Sequence, residues 1–219
     1  MMKNLLLVST FLITALSISA QSEVGTISIY PRIGLNSSNL TSYSIYTSMS
    51  ADASCVNSKR KAGLVIGAEM EYQWLKGVGL TGGLLYSVQG YKFDDFEASQ
   101  TSKEVLAGLN ENMHYIIMPL MINLYVYKNL AIKTGVQLGY LLKSRCKYSY
   151  VTENSKQEFT GNSHHHKWDF SIPVGVSYEY EKVVLDLRYN LGISNVNKYD
   201  VDASKNSVIM MTIGYKIKI

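Results

Sequence analysis

The sequence predicts an all-β fold, an eight-stranded antiparallel up-and-down transmembrane β-barrel with a side-chain-filled lumen. Three observations predict it: repeated alternation of apolar and polar residues, short turns that alternate with long polar loops, and charges confined to one side of each segment. The clearest segment runs from Val183 to Ser194, where odd-numbered residues are apolar and even-numbered ones include Asp186, Arg188 and Asn190. Successive side chains of a strand point to opposite sides, so this segment has one apolar and one polar face.

The N-terminus has the pattern of an export leader, and we expect residues 1–20 to be a signal peptide and residues 21–219 to be one barrel domain. Lys3 precedes an apolar run from Leu5 to Leu16, and small residues follow up to Ala20. This run is too short to cross a bilayer as a helix, and later apolar stretches fall short of the roughly 18 residues that a spanning helix needs. The sequence therefore excludes a helical membrane protein.

Alternation and turn signals together predict eight strands. They are Ile27–Asn36, Gly63–Trp74, Val78–Tyr91, His114–Tyr127, Leu130–Leu142, Trp168–Tyr180, Val183–Ser194 and Ser207–Ile219. Three links are tight hairpins, at Leu75–Gly77, Lys128–Asn129 and Glu181–Lys182, and the other four are long and polar. This asymmetry is typical of outer-membrane barrels, whose short turns face the periplasm and whose long loops face outside. We expect a location in the cell outer membrane, with periplasmic termini.

The first three strands separate two faces. The first strand places Arg32 and Gly34 on the inward face, and the third places Gly83 inward and Tyr86 outward. The second strand carries an uncharged outward stripe: Leu64, Ile66, Met70, Tyr72 and Trp74.

The remaining strands continue the pattern. The fifth strand places Lys133 inward and Tyr140 outward, and the sixth carries the outward aromatic residues Trp168, Tyr178 and Tyr180 near its ends. The outward stripes of the fourth and eighth strands are Ile116, Met118, Leu120, Ile122, Leu124 and Val126, and Ile209, Met211, Ile213, Tyr215, Ile217 and Ile219. A lysine or arginine at mid-bilayer on this face costs about 2–4 kcal/mol, so contact with lipid explains why these stripes are uncharged.

The inward face is predicted to hold balanced charges. They are Arg32, Lys133, Arg188, Lys216 and Lys218 against Glu69, Glu71, Asp169, Glu179 and Asp186. Among them lie the glycines Gly34, Gly67, Gly83, Gly135, Gly139, Gly175, Gly192 and Gly214. An eight-stranded barrel is only wide enough inside for side chains to fill it, and small residues leave room for long ones. We therefore expect a plugged lumen rather than an open pore.

The competing fold is a soluble eight-stranded barrel of lipocalin type, with the apolar stripe inside around a ligand. It would expose a face rich in glycine, which weakens strands that have nothing to pack against. Four residues fit the membrane scheme poorly. Pro31, Pro119 and Pro173 fall inside predicted strands, where we expect bulges or lumen-facing water near the last two, and Tyr189 lies at mid-depth rather than at a boundary.

Composition adds two constraints. Removal of Lys3 with the leader lowers the formal net charge from +4 to +3, which is too small to indicate a nucleic-acid partner. The chain has 17 tyrosines against 5 phenylalanines, and tyrosine suits a boundary between lipid and water because its ring is apolar and its hydroxyl is polar.

The two cysteines, Cys55 and Cys146, are expected near the same end of the barrel in an exported chain, where oxidation is permitted. A disulfide between them and two unrelated thiols are both open interpretations. The long loops at 37–62 and 92–113 are expected to carry any binding specificity, since rigid scaffolds commonly present function on loops. The second of these loops is acidic through Asp94, Asp95, Glu97 and Glu104, and the third long loop contains Lys143, Arg145 and Lys147.

Three motifs suggest chemistry, and each has a simpler structural explanation. Gly77, Gly79 and Gly82 match GxGxxG, but they lie in a hairpin turn and the strand after it, whereas a dinucleotide site needs a helix there. The run His164–His166, with His114, offers imidazole ligands for zinc or copper, although adjacent residues on an extended segment point apart. Asp94, Asp95, Ser163 and His164 supply catalytic residue types without a motif that fixes their geometry. We expect no catalytic residue, cofactor or resident metal.

The chain resembles the PorT-like outer-membrane β-barrel family of the Bacteroidetes over the whole of its mature sequence. The resemblance is carried by YPRIGLNSSNL at 30–40, GLTGGLLYSVQGYK at 79–92, YIIMPLMINLY at 115–125, AIKTGVQLGYLLKS at 131–144 and LDLRYNLGISNV at 185–196. It implies a barrel without a catalytic signature, and for one relative it implies a part in gliding and type IX protein secretion. The chain ends in Ile219, where an aromatic residue is common in the barrel-assembly signal.

These observations predict a monomeric, non-catalytic protein with a structural or surface-interaction role exerted through its extracellular loops. Its expected partners are outer-membrane lipid, the barrel-insertion machinery during assembly, and a protein at the cell surface or in a secretion complex. Three alternatives remain open: an accessory component of a type IX or gliding secretion complex, a narrow solute channel, and the soluble lipocalin-like binder.

Overall fold

Eight antiparallel strands close into one ring in the computed structural model, which describes residues 23–41, 43–46, 55–99, 104–152, 155–197 and 204–219. The predicted leader at residues 1–20 lies outside the described residues. The ring strands are β1 (Ile27–Thr41), β2 (Lys59–Leu75), β3 (Val78–Lys92), β4 (Glu104–Tyr127), β5 (Leu130–Thr152), β6 (Trp168–Tyr180), β7 (Val183–Gly192) and β8 (Lys205–Tyr215, continued by Ile217–Lys218).

Each ring strand pairs with its neighbours in sequence, and β1 closes the ring against β8. Ile33 lies opposite Ile213 in this closing pair, and the opposite edge of β1 pairs with β2, where Ile33 meets Ile66. The predicted up-and-down order is therefore confirmed. A closed ring also pairs the edges that an open sheet would leave free for aggregation. No helix among the described residues is long and apolar enough to cross a membrane.

The three predicted hairpins form one end of the barrel, called here the turn end, and the opposite end is the loop end. The turns lie at residues 76–77, 128–129 and 181–182. Gly77 and Glu181 adopt positive φ angles of 84° and 55° in two of these turns. Gly79 and Gly82 lie in β3, so the GxGxxG match is a hairpin followed by a strand, as predicted.

The loop end differs from the prediction, because two segments assigned to loops are strands. β4 begins at Glu104 and β5 continues to Thr152, so both strands extend about ten residues beyond their predicted ends. Phe96–Ser99 pairs with β4 and Ser155–Gly161 pairs with β5. These four segments form what we call the projecting sheet. Alternation is hidden in these segments, because Val105, Leu106 and Ala107 are consecutive apolar residues and Ser155–Gly161 is polar on both faces. Backbone hydrogen bonds to the neighbouring strands hold them as strands.

The three prolines occupy equivalent interruptions of the ladder. Beside Pro31, Pro119 and Pro173, the pairing to one neighbouring strand lapses for two residues and resumes in the same register. The pairing on the other side of each proline is continuous. Of the expected bulges or lumen-facing water near Pro119 and Pro173, the bulges are not found, since the ladder is interrupted there without an extra residue.

The outward face is an apolar belt, and none of the predicted outward residues is buried. Leu64 is 60% exposed, Met211 60% and Ile213 47%. The inward positions of the same strands are buried and include Glu69, Thr212 and other polar residues. The lipocalin-like alternative, which places the apolar stripe inside, is therefore wrong. Tyr189 lies in the belt at mid-depth, and its hydroxyl hydrogen-bonds to Ser207 Oγ at 2.8 Å.

Candidate functional site

The centre of the barrel is an ionic network that connects four strands. Arg188 donates from Nη1 and Nη2 to the two oxygens of Glu69 at 2.6 and 2.9 Å, and from Nε to Asp186 Oδ1 at 2.5 Å. Arg32 Nε lies 2.7 Å from Glu69 Oε2, and Lys133 Nζ donates to Asp186 Oδ2 at 2.9 Å. All five side chains are almost completely buried. Three cations and two anions therefore pair across the middle of the lumen, with one positive charge in excess.

Glycines make room for these long side chains, as the sequence indicates. A Cβ at Gly83 would lie 2.7 Å from Glu69 Cγ, and a Cβ at Gly214 would lie 3.0 Å from Arg32 Cγ. Both distances are shorter than ordinary van der Waals contacts, so a larger residue at either position would push the network apart.

The turn half of the lumen holds a second polar cluster around Glu71. Tyr125 and Tyr30 donate their hydroxyl hydrogens to Glu71 Oε1 at 2.6 and 3.3 Å, and Asn123 donates to Oε2. Nearer the rim, Lys216 Nζ donates to Glu179 Oε2 at 2.6 Å. Lys218 was predicted inside but is exposed at the rim of the turn end, although it lies opposite the buried Ser28.

The loop half of the lumen is filled by an apolar cluster, which differs from the polar interior predicted for the whole length. Its buried members are Leu40, Val65, Leu85, Tyr91, Phe93, Met113, Tyr115, Ile117, Leu141, Val196 and Met210. Leu40, Phe93, Met113 and Val196 lie outside the predicted strands, and the other members are inward positions whose side chains meet only when the ring closes. With the ionic network and the Glu71 cluster, this core fills the barrel, which confirms the side-chain-filled lumen.

Glu111 lies beside this core at the loop end and receives three hydrogen bonds. Tyr91 donates to Oε2 at 2.5 Å, Ser144 donates to Oε1, and His165 Nε2 lies 2.6 Å from Oε1. His165 also forms an isolated bridge with Asn197, so the segment that precedes β6 is joined to the segment that follows β7 at the loop end. These contacts form a polar lid over the apolar core.

The predicted histidine cluster does not converge. His165 faces Glu111, whereas His164 and His166 are exposed. His114 lies on the outer wall, with Nδ1 2.5 Å from the Tyr86 hydroxyl oxygen. Across the part of the chain that the structure describes, no group of three or more histidines, cysteines and carboxylates is placed to bind a metal.

Other predicted residues serve the loop end separately. Asp94 lies 2.5 Å from Lys59 Nζ, and Asp95 accepts a hydrogen bond of 2.8 Å from the Gly108 backbone N–H. Cys55 is exposed and Cys146 is half-buried, and both are free thiols. Of the two interpretations of the cysteines, the structure has the unrelated thiols.

The outer wall at the loop end carries a basic depression that the sequence analysis missed. It is lined by Tyr86, Asn112, His114, Leu142, Lys143, Arg145 and Lys147. Lys143, Arg145 and Lys147 were assigned to a loop, although their spacing of two residues places them on one face of a strand. That spacing is the signal from which the depression was predictable.

A closed ring with an apolar outer belt and an ionic interior defines a membrane β-barrel. Residues 19–198 match the family described as outer membrane protein beta-barrel domain, and the chain belongs to this family. Its place is therefore the outer membrane, in contact with lipid. β8 lies beyond the matched residues and completes the ring.

Solved barrels resemble the chain at low identity. Ail, the attachment invasion locus protein of Yersinia pestis, is 15% identical with a TM-score of 0.45, covering 89% of this chain and 100% of that one. Neisserial surface protein A is 13% identical with a TM-score of 0.43, covering 87% and 97%. The N-terminal barrel domain of Pseudomonas aeruginosa OprF is 10% identical with a TM-score of 0.32, covering 90% and 100%. A search of curated proteins finds no match.

Proposed function

We propose that this protein is a monomeric, non-catalytic barrel of the outer membrane that presents the projecting sheet at the cell surface to bind a partner. The observation that carries the proposal is the sheet itself, because the wall strands β4 and β5 continue into it without a flexible linker. A binding surface built on rigid strands loses less conformational entropy on binding than a free loop does.

The outermost segment of the projecting sheet, Ser155–Gly161, is exposed at every position. Within it, Phe159 stacks on Tyr148 with ring centroids 5.4 Å apart and meets Tyr150 edge-on at 5.7 Å. Phe159 remains 40% exposed. Aromatic residues are enriched where proteins bind proteins, so this aromatic cluster is the part of the sheet best suited to a partner.

The orientation is part of the proposal. Short turns face the periplasm and long connections face outside in outer-membrane barrels, so the projecting sheet is extracellular and both termini are periplasmic. An export leader at residues 1–20 agrees with this route. The charged groups at the centre of the lumen pair with one another, which supports a structural rather than a catalytic role for them.

The test compares cells that produce the wild-type protein with cells that produce Tyr148→Ser, Tyr150→Ser and Phe159→Ser together. Adhesion to host-cell or matrix surfaces should fall severalfold, while heat-shifted electrophoresis shows that the barrel is folded. A matched variant that removes three turn-end aromatics, Trp74→Ser, Tyr127→Ser and Tyr180→Ser, should adhere normally. Equal adhesion of the wild type and the projecting-sheet variant would reject the proposal.

A second candidate is an accessory role in a type IX or gliding secretion complex, as the resemblance to the PorT-like family of the Bacteroidetes implies. It is favoured by a charged depression at the turn end, lined by Glu179, Glu181, Lys182, Tyr215, Lys216, Ile217 and Lys218. This surface would face periplasmic proteins in the proposed orientation. A deletion strain separates the candidates, because a secretion defect favours the second and an adhesion defect with normal secretion favours the first.

A further inference from the structure

The basic depression is built by cross-strand pairs whose side chains share the outer wall. Lys143 lies opposite His114, Arg145 opposite Asn112, and Lys147 opposite Asn110. Directly opposite residues of an antiparallel pair project from the same face of the sheet. The three cations therefore form a vertical row on the outside of the barrel, away from the Glu111 lid inside.

A β-bulge places this row at the upper edge of the apolar belt. The register between β4 and β5 shifts between the pair of His114 with Lys143 and the pair of Tyr115 with Leu141. Leu142 is thereby left as an extra residue, and both it and Lys143 are exposed on the outer wall. Bulges of this kind commonly re-aim a side chain. The outer wall therefore changes from apolar to positively charged between the consecutive residues Leu142 and Lys143.

Among the residues that the structure describes, no carboxylate forms an ion pair with the cations of this row. Lys143, Arg145 and Lys147 are all exposed. Glu158 interacts electrostatically with Lys147, but its Oε1 pairs with Lys156 Nζ at 2.9 Å. Lys61 does not line the depression, and its Nζ donates to Asn110 Oδ1 at 2.9 Å and to the Glu111 carbonyl at 3.2 Å.

The floor of the depression fits an amphiphile rather than a free ion. Leu142 and Tyr86 are 52% and 38% exposed and continue the apolar belt into the depression. The Tyr86 hydroxyl is oriented by His114 at 2.5 Å. A molecule seated there would have acyl chains against the belt and a headgroup against the cations.

We propose that this basic depression binds the phosphate group of an anionic lipid in the leaflet that surrounds the loop end. Arg145 recognises phosphate through its planar guanidinium, which can donate two parallel hydrogen bonds. Lys143 and Lys147 add point charges below and above it, and each cation near an anionic surface strengthens attraction. The proposed binding of lipid phosphate does not depend on the proposed surface role. Only the assignment of the depression to the outer leaflet rests on the proposed orientation.

The two tryptophans allow a test in the folded protein. Trp168 lies at the loop end, where its ring meets Tyr140 at 4.8 Å, and Trp74 lies at the turn end. Single-tryptophan proteins, made by Trp74→Phe or Trp168→Phe, are refolded into phosphatidylcholine vesicles that contain brominated phosphatidylglycerol. Quenching of Trp168 should exceed quenching of Trp74, because the depression enriches the anionic lipid at its end of the barrel.

The charge variant is Lys143→Gln, Arg145→Gln and Lys147→Gln, and the matched control is Lys76→Gln, Lys128→Gln and Lys182→Gln at the turn end. The charge variant should lose the preference of Trp168 for phosphatidylglycerol over brominated phosphatidylcholine by roughly tenfold, and the control should keep it. Arg145→Lys should retain part of the preference, which keeps the test informative if the triple variant folds poorly by heat-shifted electrophoresis.

Unchanged quenching in the charge variant would overturn the proposal, as would an equal loss in the control. Inorganic phosphate at millimolar concentration distinguishes the source of the ligand. If the preference for phosphatidylglycerol persists in the presence of inorganic phosphate, the depression is a lipid site. If inorganic phosphate abolishes the preference completely and the preference does not depend on the acyl chains, the depression is a free-phosphate site and the lipid assignment is rejected. Normal adhesion of the charge variant together with lost lipid preference would leave the projecting-sheet proposal unaffected.

Discussion

Arg188 and Glu69 meet across the lumen through two parallel hydrogen bonds of 2.6 and 2.9 Å, although they belong to β7 and β2, which are not neighbours in the ring. The pair therefore links two walls that no backbone ladder joins. Both side chains are essentially inaccessible to solvent, and Arg32 and Asp186 complete their charge balance.

Arg188→Met should destabilise the barrel strongly, because it removes the hydrogen bonds that Arg188 donates to the buried carboxylates of Glu69 and Asp186. Removal of one partner from a buried pair costs about 3–5 kcal/mol. The measurement is the free energy of unfolding from urea titration of vesicle-embedded protein followed by tryptophan fluorescence. A double variant, Arg188→Met with Glu69→Gln, should recover part of the loss, and a loss below about 1 kcal/mol in the single variant would contradict the network.

Leu187→Lys should be far more costly than Ile219→Lys, because the first lies within the belt and the second at the chain end. Leu187 is 49% exposed and Ile219 is 76% exposed, so burial in protein is not the difference between them. A lysine at mid-bilayer costs about 2–4 kcal/mol and near the interface about 0–1 kcal/mol. Equal unfolding free energies of the two variants in vesicles would show that the belt does not face lipid.

Purified wild-type protein should give no stable conductance steps in planar bilayers. The ionic network and the apolar core occupy successive levels of the lumen, and an eight-stranded barrel has little further width. The positive control is a large-pore porin inserted into the bilayer at the same surface density. Reproducible openings from this protein would favour the narrow-channel alternative.

Cys146 should react slowly with iodoacetamide at neutral pH, and Cys55 should react readily because it is exposed. Cys146 lies in the part of β5 beyond the belt. Burial, together with the nearby Glu111 carboxylate, raises the pKa of its thiol to about 11. The neutral thiol then predominates until the pH approaches that value, and thiolate is the reactive form. Rates are measured by mass spectrometry in Cys55→Ser and Cys146→Ser proteins. A pH profile of the Cys146 rate that levels off below pH 9 would contradict the assignment.

Glu111 should make the loop-end lid sensitive to acid. Glu111 lies in β4 on the loop-end side of Ile116, outside the membrane-spanning part. Burial alone would raise its pKa, but hydrogen bonds from His165, Ser144 and Tyr91 lower the pKa from 4.5 to about 2. A depressed folded-state pKa contributes stability above pH 4.5 that is lost as the pH falls towards 2. Hydrogen exchange of the residues around His165 should therefore rise over this window relative to the turn end. Glu111→Gln should abolish the pH dependence, and an unchanged dependence in that variant would refute its origin in Glu111.

The backbone plan of the barrel was predictable because its signals are local. Alternation placed the belt residues outside and the three hairpins at one end, and β6 has the predicted bounds of Trp168–Tyr180. The projecting sheet was missed because segments such as Ser155–Gly161 are polar on both faces, so their strand structure depends on pairing with β5 rather than on a pattern of their own.

The candidate sites likewise have features that the sequence predicts and features that depend on tertiary structure. Inward charges such as Lys133 and Asp186 were predictable from parity, since each side chain needs only its own position in a strand to be assigned to a face. Their partners were not, and neither was the bulge that turns Leu142 and Lys143 outward together.

The sequence by itself determined the strands, their faces and the class of membrane protein, because a period of two residues and a short turn act over only a few neighbouring residues. Tertiary structure alone decided that Arg188 reaches Glu69, that apolar residues fill the loop half of the lumen, and that β4 and β5 rise beyond the belt. These features depend on the stagger with which eight strands close into a ring, and that stagger joins residues more than a hundred positions apart.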